Sequence, residues 1–129
     1  MILVDSSVWI DFFNGKEADH VEKLYQLLGN QVIISGDLIW VEVLQGFKND
    51  SQFKLAKTAL ESLPYFALIN KETALVAVEN YRILRKKGVT VRKTIDVIIA
   101  TFCIANNISL LHADNDFQVM EAHLGLRSI

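Results

Sequence analysis

Hydrophobic residues along this chain fall into two rhythms. Short, nearly unbroken apolar runs at Ile2-Leu3-Val4, Val32-Ile33-Ile34, Phe66-Ala67-Leu68-Ile69 and Ser109-Leu110-Leu111 are too brief for helices and read as buried strands. Between them the apolar positions recur at helical spacing. Ser6 or Ser7 caps a short helix that runs to Phe13 and stops at Asn14-Gly15. Val21, Leu24, Leu27 and Leu28 predict a helix over about 17–28. Ser35-Gly36-Asp37 supplies a turn and cap for a helix from Leu38 to Phe47, with Gly46 near its end. A further helix over about 50–62 stops before Pro64, the only proline. Thr73 to Lys87 is a long helix with cations in its last turn and Gly88 just beyond, as the helix dipole and a left-handed cap favour. Thr94 to Asn106 is the most apolar helix. After the fourth strand come Asp114, a short helix and a last strand at Leu126-Arg127-Ser128.

Continuous apolar strands alternating with helices mean that both sheet faces are covered. That predicts an α/β fold with a central parallel sheet. At 129 residues and 14.6 kDa, a single domain over 1–129 with one core is expected. A hydrophobic fraction of 51% excludes disorder. One cysteine, Cys103, excludes an intramolecular disulfide, and its apolar neighbours make it buried packing. Net charge is −2 and the pI is near 5.9, which argues against wholesale electrostatic adhesion to nucleic acid or anionic membrane while leaving room for a local basic patch. Met1 to Asp5 lacks the cationic start of a signal peptide, and Ile95 to Ala105 is short for a bilayer span and contains Asp96. A cytoplasmic protein without membrane contact is therefore expected.

Ligands of open parallel sheets bind beyond the carboxyl ends of the strands. Asp5 follows the first strand directly, Asp114 follows the fourth after His112-Ala113, and Glu42 lies in the helix that leaves the second. Asp96 is the strongest anomaly, because its helical neighbours Ile99, Ala100 and Cys103 are apolar, and an acid on such a face needs a partner or a metal. Thr94 opens the same helix. Each acid also has a plain structural reading. Asp5 could cap its helix, Glu42 could be solvated, Asp96 could turn to water from the first turn, and Asp114 or Asp116 could open a turn. Taken together they point further. Carboxylates converging on one sheet end repel each other unless a cation offsets them, and hard oxygen ligands suit Mg²⁺ or Mn²⁺. Such an ion activates water and stabilises charge on a phosphoryl oxygen, which makes phosphodiester hydrolysis the natural chemistry.

Four stretches in order give these acids a family resemblance: Ile2-Leu3-Val4-Asp5-Ser6-Ser7-Val8-Trp9-Ile10, Glu42-Val43-Leu44-Gln45-Gly46, Thr94-Ile95-Asp96-Val97-Ile98-Ile99-Ala100 and Leu110-Leu111-His112-Ala113-Asp114-Asn115-Asp116-Phe117. The chain resembles PIN-domain ribonucleases, and most closely toxins of the VapC type, over nearly its whole length. The resemblance implies a three-layer α/β/α sandwich and a Mg²⁺- or Mn²⁺-dependent endoribonuclease leaving 5′-phosphate and 3′-hydroxyl ends. Asp5, Glu42, Asp96 and Asp114 match the family's acidic quartet. Asp5, Asp96 and Asp114 would hold the ion, and Glu42 would bind a second ion or orient water. Asp116 matches an acid sometimes found in the last motif, and Ser6 a small hydroxyl residue beside the first acid. His112 stands where similar sequences often carry Thr, and reads as either a structural histidine or a ligand or general acid. The resemblance further implies an RNA substrate, a homodimer and a cognate antitoxin.

Six of the thirteen basic residues lie between 82 and 93. Arg82, Arg85, Lys86 and Lys87 suit a helix C-terminus, whereas Arg92 and Lys93, just before the Asp96 helix, are candidate RNA phosphate contacts. Trp9 with Phe13, and Trp40 with Leu44 and Phe47, form helical stripes that belong to the core or, if exposed, to an interface. A phosphatase-like or receiver-like domain fits less well, because Asp5 is followed by Ser6-Ser7 and the fourth strand ends in His112. A PIN-fold processing nuclease and a non-catalytic PIN-like binding module are the remaining alternatives; the full quartet argues against the module.

Overall fold

The computed structural model describes every residue from Met1 to Ile129. Four strands alternate with seven helices: β1 (Ile2–Val4), α1 (Ser6–Phe13), α2 (Asp19–Leu27), β2 (Ile33–Gly36), α3 (Asp37–Leu44), α4 (Asp50–Glu61), β3 (Tyr65–Phe66), α5 (Lys71–Lys86), α6 (Thr94–Ala105), β4 (Ser109–Leu111) and α7 (Gln118–Leu124). A 3₁₀ turn over Asn115–Phe117 leads into α7. The sheet is wholly parallel in the order β3-β2-β1-β4, with Leu3 opposite Ile34 on one side and Leu110 on the other. The α/β class follows from the apolar runs as expected, and the central strands are buried from end to end.

This order reverses direction once. The chain steps outward from β1 to β2 to β3, then crosses back to place β4 on the far side of β1. With right-handed crossovers, that puts α1 to α4 on one face and α5 and α6 on the other. The packing agrees: α1 lies on α2 and α3, α3 on α4, α5 on α6, and α6 on α7. The reversal leaves a crevice beyond the carboxyl ends of β1 and β4, where a doubly wound sheet binds its ligand. A core of 25 buried residues runs through both layers, and α6 is its most enclosed helix, with Asp96, Val97, Ile99, Ala100, Thr101, Phe102 and Cys103 all buried. Thr101, a polar residue in that core, donates to the Val97 carbonyl and accepts from Asn80 of α5, so α5 and α6 are joined by a satisfied polar bridge.

Several boundaries differ from the sequence pattern for identifiable reasons. The second strand begins at Ile33, because Val32 is exposed, and continues through Ser35 and Gly36, which were expected to turn. Gly36 can stay in the sheet because it has no side chain: a Cβ there would lie 2.3 Å from the Phe66 carbonyl oxygen and 2.6 Å from Leu68 Cγ. The third strand covers Tyr65–Phe66 and not Phe66–Ile69, an exposed edge pair from which Leu68 departs to bury itself. Asp37 holds that departure, since its Oδ1 accepts from the amides of Leu38 and Leu68 at 3.0 and 2.8 Å. α3 ends at Leu44 and not Phe47, and α5 starts two residues earlier than expected, at Lys71, because Asn70 caps it through the Thr73 amide. The last strand reduces to a single bridge between Leu110 and Ser128. Trp9 is buried and stacks on Phe13, which makes the first aromatic stripe core; Trp40, partly buried, packs against Tyr65.

Gly36→Ala is expected to destabilise the protein by about 1–3 kcal/mol, the usual cost of overpacking a filled site. Gly46→Ala, whose Cβ would meet nothing closer than 3.7 Å, is the control and should stay within about 0.5 kcal/mol of wild type. Urea unfolding of the two variants checks this; equal stabilities would contradict the close approach at Gly36.

Candidate active site

Asp5 leaves β1 with its backbone already committed. Its amide donates to the Leu111 carbonyl at 2.9 Å, tying the ends of β1 and β4 together. Its side chain caps α1: Oδ2 accepts from the Ser7 amide at 3.0 Å and from the Ser7 hydroxyl at 2.6 Å. The plain capping role is therefore real, but it uses one oxygen. Oδ1 is buried with no hydrogen-bond partner, and the residue is 3% exposed. Asp96, in the first turn of α6, repeats the pattern. It too is 3% exposed, and its Oδ2 has no hydrogen-bond partner. Trp9 Nε1, Ser35 Oγ and Trp40 Nε1 are also buried without a partner, but Asp5 and Asp96 are the ionisable ones, for which the cost is highest, and two such carboxylates at one sheet end require a cause.

The remaining acids approach from other elements. Asp114 caps the 3₁₀ turn by accepting the Asp116 amide at 2.9 Å, and its other oxygen accepts from Lys93 Nζ at 2.7 Å. Carboxylate oxygens of Asp96, Asp114 and Asp116 lie within 4.8 Å of one another. Glu42 reaches in from α3 and accepts from the Ser6 hydroxyl at 3.0 Å. The structure thus brings Asp96, Asp114 and Asp116 into ligand distance of one another, and couples Asp5 and Glu42 to them through charge.

Electrostatics record the crowding. Burial, then the charge of Asp5, pushes the Asp96 carboxyl up to about 7. Burial raises Asp5 despite its bonds from Ser7, and raises Glu42 despite the Ser6 hydroxyl. Burial also works against Asp114, but the Lys93 hydrogen bond and the Asp116 amide outweigh it and hold this carboxyl below its ordinary value. Lys93 is raised, chiefly by its hydrogen bond to Asp114. Behind the site, burial and the Asp5 charge push the Cys103 thiol up to about 12, so it is an inert packing residue.

The other residues singled out from the sequence divide. Ser6 orients Glu42. Lys93 turns into the acidic cluster, 2.7 Å from Asp114 and 3.8 Å from Asp96, whereas Arg92 is exposed and makes no ion pair. Thr94 faces away, lining an apolar groove of about 460 Å³ between α5 and α6 with Val78, Tyr81 and Ile98. His112 is engaged in hydrogen bonds at both ring nitrogens. Its Nδ1 accepts the Asp114 amide at 3.3 Å, while Nε2 contacts Glu121 of α7 at 2.7 Å and the Ser128 hydroxyl at 3.1 Å. Those bonds fix the turn that presents Asp114. Sequence reasoning missed Ser7, whose hydroxyl both donates to Asp5 and accepts the Ala113 amide at 3.1 Å, joining the β1 and β4 ends of the site. The only available signal was a hydroxyl residue two places after an N-cap Asp, which many helices share.

The donor set suits a divalent cation. It consists of carboxylate oxygens, two of them buried and unpartnered, with no thiolate or imidazole aimed among them. Hard oxygen ligands of this kind fit Mg²⁺ or Mn²⁺.

A reversed parallel sheet with an acidic cluster at its switch point is the architecture of a PIN domain. The PIN domain family model matches residues 2–122, and the chain belongs to that family. Two similar relatives are VapC ribonuclease Mb1587 of Mycobacterium bovis and Ribonuclease VapC11 of Mycobacterium tuberculosis. Each is 28% identical over 122 residues, spanning 93% of this chain and 91% of the relative. Among solved structures, VapBC2 from Rickettsia felis bound to a DNA fragment from their promoter superposes with a TM-score of 0.77 at 19% identity, over 100% of this chain and 98% of that one. VapBC-1 from nontypeable Haemophilus influenzae gives 0.74 at 20% identity, over 100% and 97%. These structures establish the fold. No helix is long and apolar enough to cross a membrane.

The raised carboxyls set a pH dependence for the metal-free protein. Between the unfolded value of 3.8 and the folded value of about 7, Asp96 binds more protons when folded, so stability falls as pH rises through that window. Asp5 and Glu42 act in the same direction. Asp114 and Glu121, held low, act oppositely and lose their contribution only at more acidic pH. The melting temperature in EDTA should therefore drop by several degrees between about pH 5 and about pH 8. Asp96→Asn should raise it at the higher pH and flatten the profile. A wild-type melting temperature that rose across the same range would contradict the buried-charge assignment.

Proposed function

We propose that this chain is a metal-dependent endoribonuclease, the toxin of a VapBC-type pair. The observation that carries this reading is the pair of buried carboxylates, Asp5 and Asp96, each with an unpartnered oxygen; Asp96 lies within ligand distance of Asp114 and Asp116, and Asp5 couples to Asp96 and Asp114 through charge. Similarity to VapC ribonucleases over 93% of the chain supports the choice of RNA. The solved neighbours, VapBC assemblies and a toxin-antitoxin complex, support the antitoxin partner.

Asp5, Asp96 and Asp114 would hold Mg²⁺ or Mn²⁺, with Asp116 close enough to share the task. When bound, the ion supplies Lewis-acid stabilisation of charge on phosphoryl oxygens and lowers the pKa of water. The chain's own residues do the rest. Glu42, held by Ser6, orients water toward the scissile phosphate or assists a second ion. The Asp5–Ser7–Ala113 bridge keeps the β1 and β4 ligands in register. His112 fixes the Asp114 turn without joining the chemistry, and Thr94 opens the helix that carries Asp96. Arg92, exposed and unpaired, with Lys93 beside it, contacts RNA phosphates at the rim, which makes binding salt-sensitive. A homodimer in the cytoplasm completes the proposal.

Purified protein incubated with RNA and Mg²⁺ or Mn²⁺ tests this. Cleavage should require the ion, stop in EDTA and fall by roughly 100-fold or more in Asp5→Asn or Asp96→Asn, about 3 kcal/mol of barrier. Circular dichroism should show both variants folded. Cleavage that survives both EDTA and Asp96→Asn would overturn the assignment.

A further inference from the structure

Lys93 is the one cation within ion-pair distance of the acidic cluster. Its Nζ lies 2.7 Å from Asp114 Oδ2 and 3.8 Å from Asp96 Oδ2. Those carboxylates belong to the group whose oxygens fall within 4.8 Å of one another, so the ammonium sits against the same donor oxygens that a divalent ion would use. The placement is not forced by the helix. Lys93 is the N-cap residue of α6, where its donor-only ammonium has no acceptor to offer the helix amides, and it points across to Asp114, 21 positions away. Nor is it locked in place. The side chain is 52% exposed, whereas Asp96 beside it is buried with an unpartnered oxygen. A flexible, strongly hydrated point charge on a four-carbon stem can leave such a position without disturbing the core.

A lysine ammonium and a divalent cation cannot share those oxygens, because like charges a few ångströms apart repel strongly at a partly buried site. We propose that Lys93 is the resident counter-ion of this site: it holds the crowded carboxylates together in the metal-free protein and is exchanged for the metal when the ion binds. This rests on the metal-site reading given above, and adds that the chain carries its own competitor for the ion. Lys93 therefore sets how much divalent cation is needed to load the site. Without it the acids would repel one another more in the metal-free state and take the metal more readily.

Mn²⁺ binding to the RNA-free protein, followed by the electron paramagnetic resonance of free Mn²⁺, tests the exchange without reference to cleavage. Lys93→Met should bind Mn²⁺ about tenfold tighter than wild type, because one competing unit charge is gone, and Lys93→Arg should stay near wild type. In EDTA, Lys93→Met should melt below wild type, and saturating Mn²⁺ should close that gap. A lysine that only supported the fold would weaken metal binding when removed, so tighter binding is the distinguishing sign. If wild type binds Mn²⁺, Asp96→Asn does not, and Lys93→Met binds no tighter than wild type, the exchange is wrong and the metal site stands. If wild type and Lys93→Met both fail to bind Mn²⁺, the metal reading falls and the exchange with it.

Discussion

Two carboxylates pressed into a hydrophobic core, each with one oxygen left without a partner, are the constraint on which the rest of this structure depends. Native domains hold only a few buried unpaired polar atoms, and an ionisable oxygen is the costliest kind. Here Asp5 and Asp96 are each 3% exposed, and burial raises both. The neighbouring acids add to that cost, and only Ser6, Ser7 and Lys93 offset it. Ser7 satisfies the second oxygen of Asp5 and leaves Oδ1 unpaired, while Lys93 supplies positive charge 3.8 Å from Asp96 Oδ2, beyond hydrogen-bond distance. A divalent cation bound between them would answer the defect, as proposed above.

The fold gathers these residues by a single topological event. Had β4 followed β3 outward, Asp114 would have ended three strands from Asp5. Because the chain crosses back, β4 pairs with β1, the Asp5 amide bonds to Leu111, and α6 delivers Asp96 into the crevice between them. The polar bridges close around this point: Ser6 to Glu42 from one face, Ser7 to Ala113 along the rim, and His112 to Glu121 and Ser128 from behind. Each is one or two hydrogen bonds, and together they hold four separate chain segments at one place.

Legibility in the sequence followed the strength of the local signal. Central strands and the α6 helix were plain because long apolar runs permit few alternatives, and Asp96 stood out because an acid among Ile99, Ala100 and Cys103 is out of pattern. Asp5 was ambiguous from sequence because it does two jobs, capping α1 with one oxygen and leaving the other free. Tyr65–Phe66 was misplaced because an edge strand is exposed and lacks the apolar run that marks a central one. Lys93 reads from the sequence as a candidate phosphate contact, and Asp116 as a turn acid or a match to the last motif. That Lys93 meets Asp114, 21 positions along the chain, and that Asp116 joins Asp96 depend on side-chain direction, which no periodicity encodes. Ser7 and Asp37 read from the sequence only as helix caps, because their cross-links use backbone amides supplied by distant segments; the cap of α1 is Asp5 itself.

The central claim is that the unpartnered oxygens of Asp5 and Asp96 are ligand atoms. A crystal grown with Mn²⁺ and measured for anomalous scattering addresses it directly. The expected result is an anomalous peak coordinated by Asp5 Oδ1, Asp96 Oδ2 and Asp114. A well-ordered crystal in which those two oxygens stay unligated, with Mn²⁺ absent or bound elsewhere, would contradict it.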